Sequence, residues 1–157
     1  MKHAVILMLM FIFSLSLSAQ KETRIHWIDF NQLDKEWKHR PKKILIFFYE
    51  NRCVYCKKME KTTFNKTDIV DKLNKDFHAV KMNAHTTDTI VFNNRRYTNP
   101  EAEKNRAGIH QLAAVFMHRE GRPYSLPVTV LLDENLNVVS RSFTYLSPKA
   151  MRAFISQ

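Results

Sequence analysis

The sequence predicts one α/β domain in which helices cover both faces of a mixed central sheet. Three observations carry this. Residues 43–49, Lys-Ile-Leu-Ile-Phe-Phe-Tyr, are a short apolar run bounded by charge, the pattern of a strand buried on both faces. A helix-patterned segment and a second strand follow it, an order that implies a parallel pair joined by a crossover. Residues 128–132 and 138–143 flank a polar turn, so the sheet also contains a hairpin. With 157 residues, 45% of them hydrophobic, including 11 Phe, 5 Tyr and 2 Trp, the chain has material for one well-buried core. Its 2 Gly and 5 Pro exclude collagenous and low-complexity classes.

Residues 1–19 stand apart. Met1-Lys2-His3 is short and basic, residues 4–13 are an unbroken apolar run, and residues 14–19 alternate small and apolar side chains before Gln20 turns the chain polar. That order predicts a secretory signal peptide. The apolar run falls short of the ~20 residues that span a bilayer, and no cysteine stands at the junction to take a lipid. The cut is expected after Ala19; Leu17, bulky for its position, makes a cut after Ser18 the alternative. Residues 20–157 are expected to form a single domain of an exported protein, periplasmic or secreted further.

The elements of that domain follow in order. Phe30, Leu33 and Trp37 recur at helical spacing, and Pro41 stops this leading helix before the strand at 43–49. After a brief turn, residues 53–63 hold no Gly or Pro and are rich in Lys, Glu and Met, which predicts a helix beginning at Cys53. Met59 and Phe64 are expected to pack in the core beside it. Thr67 or Asn65 can cap a helix carrying Ile69, Val70, Leu73 and Phe77, and residues 78–82 alternate like a strand. Residues 84–104 are polar and weakly patterned, an inserted excursion with a small hairpin around Asn93-Asn94. Ile109, Leu112, Ala113 and Phe116 mark a helix that ends before Gly121 and Pro123. Ser147 followed by Pro148 caps a last helix whose buried stripe is Met151, Phe154 and Ile155.

The chain carries 25 Lys and Arg against 15 Asp and Glu, a formal +10; without the one lysine of residues 1–19 the balance is 24 against 15, or +9. The basic residues are scattered among acids, with no basic helix interleaved with aromatics, so a solvated surface is expected and no nucleic-acid partner.

The two cysteines carry the chemistry. Cys53-Val54-Tyr55-Cys56 lies where the central strand hands over to a helix. There the first sulfur faces the unsatisfied N–H groups and positive end of the helix, which favours thiolate over thiol. Cys53 is thus the expected nucleophile. Cys56, one turn along on the same side, can close a disulfide with it and release a substrate from a mixed disulfide. Arg52 and Lys57 flank the pair and add positive potential. A zinc half-site would need two further ligands, and the dispersed histidines lack the spacing for them. A purely structural bridge would close a loop too short to remove much unfolded-state entropy. His85 and His110 are expected as surface or capped residues rather than ligands.

Pro127 opens the strand at 128–132. Because proline cannot donate to a ladder, it calls for a first-residue position or a cis peptide bond. A cis Leu126–Pro127 bond would leave the Leu126 carbonyl and amide free to pair with an incoming chain. Tyr55, beside the sulfurs, is expected to contact substrate.

Together these residues resemble the thioredoxin superfamily, in particular exported thioredoxin-like proteins with a helix before the active-site strand. The likeness runs from about residue 26 to 156. It rests on the run from Lys43 through Cys53-Val-Tyr-Cys-Lys-Lys-Met59 and on Leu126-Pro127-Val-Thr-Val-Leu-Leu-Asp133. It implies a thioredoxin fold, Cys53 as attacking thiol, Cys56 as resolving thiol and Pro127 as the cis-proline facing them. The chain departs from thioredoxin where that protein keeps a buried Asp six residues before the first cysteine: Phe47 stands there, leaving Glu50 or water to handle protons. Val54-Tyr55 replaces Gly-Pro, Lys61 replaces a helix-kinking proline, and the stretch before Pro127 is longer. The expected function is thiol:disulfide exchange with cysteine-containing protein substrates and a membrane electron donor or acceptor, without metal or organic cofactor; reductase, oxidase and isomerase directions all fit Val-Tyr. A thioredoxin-fold binding or folding-assistance module with an incidental cysteine pair is the alternative.

Overall fold

The computed structural model describes residues 23–105 and 108–157; the predicted signal peptide lies outside them. The elements run β1 (Trp27–Ile28), α1 (Phe30–His39), β2 (Lys43–Tyr49), α2 (Val54–Thr62), α3 (Thr67–Asp76), β3 (Phe77–Asn83), β4 (Ile90–Phe92), β5 (Arg95–Tyr97), α4 (Gln111–Met117), β6 (Val128–Leu132), β7 (Val138–Ser142) and α5 (Pro148–Phe154). The main sheet has the order β1-β3-β2-β6-β7. Strands β1, β3 and β2 run parallel, whereas β6 and β7 are antiparallel to their neighbours.

Alternation along β2 builds both cores. Ile44, Ile46 and Phe48 face one side, where they meet Phe30 and Leu33 of α1, Leu112 and Phe116 of α4, and Ile90 and Phe92 of β4. Leu45 and Phe47 face the other, with Met59 of α2, Ile69 and Leu73 of α3, and Met151 and Phe154 of α5. All five β2 side chains are fully buried, each worth roughly 1.5–3 kcal/mol of transfer free energy. Phe47 joins an aromatic cluster in this core: its ring stands 4.9 Å from Phe64 and 6.1 Å from Trp27. Met59 and Phe64 are buried here as expected.

Local chemistry sets the element ends, with some differences from expectation. The leading helix forms over Phe30–His39 as expected, and before it Trp27–Ile28 adds a short parallel edge strand that the sequence did not indicate. Asp29 then starts α1 with a capping box, accepting from the Gln32 amide while the Gln32 side chain accepts from the Asp29 amide. Helix α3 begins after Lys66 with no side-chain cap, and Phe77, expected on its stripe, opens β3 instead. Ile109 precedes α4, which His110 caps by accepting the Leu112 N–H. Asn93 and Asn94 both take positive φ, 49° and 61°, the conformation a two-residue hairpin turn requires. Ser147 accepts from the Ala150 amide with Pro148 at the start of α5, as the sequence predicts. Among the described residues no helix is long and apolar enough to cross a membrane.

Candidate functional site

The site forms where β2 ends. Four residues past Tyr49, the turn through Glu50 returns the Cys53 amide to the Glu50 carbonyl at 3.2 Å, and the chain enters α2 with Cys53 as its cap residue. The Cys53 Sγ accepts the N–H of Cys56 at 3.0 Å. No acidic residue occupies the first turn of α2, so nothing there opposes the helix's positive end acting on sulfur. Cys53 and Cys56 are joined in a disulfide, their Cα atoms 5.2 Å apart. Cys56 is only 1% exposed and Cys53 8%, so the first sulfur is the more accessible of the two.

The loop before β6 carries a cis Leu126–Pro127 peptide bond. Leu126 packs against both cores and lines a cleft of about 450 Å³ with Glu50, Cys53, Val54, Tyr55, His85, Ile109, Met117, Tyr124 and Ser125. Val54 is 74% and Tyr55 59% exposed, giving the cleft an apolar lip. The expected residues Glu50, Cys53, Tyr55 and Leu126 therefore share one cavity. Arg52 and Lys57 lie exposed beside the cysteines rather than in the cleft lining, and Pro127 is buried next to the lining residue Leu126 without lining the cleft itself.

One wall of the cleft comes from the segment between β3 and α4, and its side chains were not identifiable from sequence. Asn83 accepts from the His85 amide at 3.0 Å and fixes the turn out of β3. His85 Nδ1 donates to the Gly108 carbonyl at 3.0 Å, and Nε2 stands 3.2 Å from Glu50 Oε2. The Gly108 carbonyl also accepts from the buried Asn99 amide at 2.9 Å. Gly108 is required sterically: a Cβ there would meet the Glu101 carbonyl carbon at 2.7 Å. His85 and His110 were expected as surface or capped residues. His110 is instead fully buried and itself caps α4, while His85 is hydrogen-bonded and lines the cleft. Only the parallel pairing of β2 with β3, which brings residue 85 beside residue 50, could have pointed to the latter. No group of three or more His, Cys, Asp or Glu among the described residues is arranged to hold a metal.

Comparisons with known proteins agree with this architecture. Residues 30–157 match the family model described as a thioredoxin-like domain. Among solved structures, a DsbH oxidoreductase is similar over 90% of each chain, at 16% identity and a TM-score of 0.58. A thioredoxin from Thermus thermophilus is similar over 84% of this chain and 88% of its own, at 15% identity and a TM-score of 0.56. A thioredoxin-fold protein from Helicobacter pylori is similar over 81% of this chain and 71% of its own, at 21% identity and a TM-score of 0.51. Among curated proteins nothing matches. With most of its length matched by the family model, and with paired cysteines at the strand-to-helix turn and a cis Leu126–Pro127 bond before β6, the chain belongs to the thioredoxin-like family and carries the cysteine pair of a thiol:disulfide oxidoreductase.

Proposed function

We propose that the protein is exported and exchanges disulfides with cysteine-containing protein substrates, Cys53 attacking and Cys56 resolving. The observation that carries the reading is the Cys53 sulfur held against the first turn of α2 by the Cys56 N–H, in a disulfide with Cys56 at the mouth of the cleft. In the reductive direction the Cys53 thiolate attacks a substrate disulfide, forming a mixed disulfide and releasing one substrate thiolate, which takes up a proton. Cys56 loses its proton, attacks the Cys53 sulfur and expels the second substrate thiolate. The substrate gains two electrons and two protons; the Cys53–Cys56 dithiol loses the same number. The oxidative direction is the reverse. Backbone groups of Leu126 beside Pro127 pair with the extended substrate, and Tyr55 contacts its side chains. Arg52 and Lys57 add positive potential around the sulfurs.

Export is supported by the order of basic, apolar and small residues in positions 1–19. It places the mature chain in an oxidising compartment, most simply the periplasm. Sustained turnover there requires a redox partner that resets the cysteine pair, a donor for a reductase and an acceptor for an oxidase, and a membrane protein is the partner proposed.

Two measurements test the reading. After reduction, Cys53 should alkylate with an apparent pKa below the ordinary ~8.5. Cys53→Ser should abolish reduction of insulin disulfides, whereas Cys56→Ser should retain attack and accumulate mixed disulfides. An ordinary thiol together with no exchange by the wild-type protein would leave a binding module instead. The equilibrium of the pair with glutathione fixes the direction of net transfer.

A further inference from the structure

We infer that Glu50 and His85 act as a charge-setting pair for the Cys53 thiolate, a positioning role beyond that of the helix end. The inference rests on the exchange reading above. The two residues lie just past the ends of neighbouring parallel strands. The last β2–β3 rung aligns Tyr49 with Asn83, and the Ala84 amide donates to the Tyr49 carbonyl at 2.9 Å. Glu50 and His85 follow directly, 3.2 Å apart, and both line the cleft that holds Cys53.

Hydrogen-bond capacity determines what this pair contains. A carbonyl oxygen can only accept, so the proton at His85 Nδ1 is committed to Gly108. Nε2 then faces a carboxylate oxygen. A bare imidazole nitrogen and a carboxylate are both acceptors and repel, so the contact requires one proton between them. With that proton the pair is neutral as a whole, whether written as imidazolium with carboxylate or as imidazole with carboxylic acid. Without it, or without His85, a negative charge stands in the cleft beside Cys53. The other ionisable side chains lining the cleft are the phenols of Tyr55 and Tyr124, with Arg52 and Lys57 exposed beside it. His85 thus cancels a carboxylate that would otherwise oppose the thiolate.

The test uses the reduced full-length mature protein and the pH profile of Cys53 alkylation by iodoacetamide. His85→Ala leaves Glu50 uncompensated and should slow alkylation at neutral pH by about 3- to 10-fold, the effect of a unit charge near a thiol at the edge of a solvent-open cleft. Glu50→Gln should not slow it. The double variant Glu50→Gln/His85→Ala should regain the Glu50→Gln rate, because no charge remains to cancel. His85→Gln, which keeps a donor for Gly108 but cannot be cationic, should behave as His85→Ala and guards against a loosened loop in the alanine variant. His78→Ala is the control: that ring is also held by a backbone carbonyl, Arg40 at 2.8 Å, but lies at the opposite end of β3. A His85→Ala profile within twofold of wild type, or a double variant as slow as His85→Ala, overturns the inference while leaving exchange intact. A wild-type Cys53 that neither exchanges nor alkylates readily overturns the exchange reading itself.

Discussion

His85 and His110 sit near the two ends of one excursion, joined through Ala84, yet their surroundings ask opposite things of them. The His110 ring donates from Nε2 to the Asp88 carbonyl at 3.1 Å and accepts the Leu112 N–H at Nδ1. One donor and one acceptor describe a neutral imidazole, and burial pushes its pKa below the ordinary histidine value. The His85 ring has an acceptor at each nitrogen and solvent at its edge. The difference teaches that a histidine's task is legible from what each nitrogen faces: His110, with one donor and one acceptor partner, is a structural cap, whereas His85 meets an acceptor at each nitrogen on the wall of the cleft.

The largest effect should separate the two sites by stability. His110→Ala removes a helix cap, leaves the Asp88 carbonyl unpaired and opens a cavity, and should cost about 2–4 kcal/mol in urea unfolding. His85→Ala, at a partly exposed site, should cost about 1 kcal/mol or less; equal losses would break the contrast. A second, smaller effect concerns acid. Because the folded pKa of His110 is lowered, the unfolded chain takes up its proton first as pH falls. The contribution of His110 is therefore complete above its unfolded value of about 6.5 and declines below it, toward the folded value. His110→Asn, which keeps a capping oxygen, should flatten that part of the stability profile. The smallest effect sharpens the comparison from the other side. Thr129 is fully buried, and its Oγ1 has no hydrogen-bond partner among the described residues. Thr129→Val should stabilise the fold by about 1 kcal/mol in the same titration, whereas a histidine with both nitrogens engaged offers no such gain.

The sequence exposes some of this and hides the rest for physical reasons. The β2 run, the hairpin at Asn93-Asn94, the Ser147–Pro148 cap and the placement of the cysteines are local patterns, set by side-chain periodicity and turn chemistry within a few residues. Proline at the mouth of β6 marks a special position because its missing N–H restricts where it can stand. A first-residue place and a cis bond both satisfy that restriction, and only the folded chain decides between them. The edge strand at Trp27–Ile28 is hidden because two residues carry no period and exist only through pairing with β3. His85 is hidden because its meaning depends on Glu50 and Gly108, 35 and 23 positions away. Glu50 could be suspected from its place near Cys53, but not the imidazole that meets it.

The rung that joins Tyr49 to Ala84 has a consequence for engineering. The spacing of Glu50 from His85 is inherited from the gauge of the sheet, as teeth on two meshed racks inherit theirs, rather than from a pliable loop. Sliding either rack by two residues would preserve every inward-facing apolar side chain of β2 and still uncouple the carboxylate from the imidazole, so the reactivity of one sulfur doubles as a vernier for the alignment of the strands beneath it.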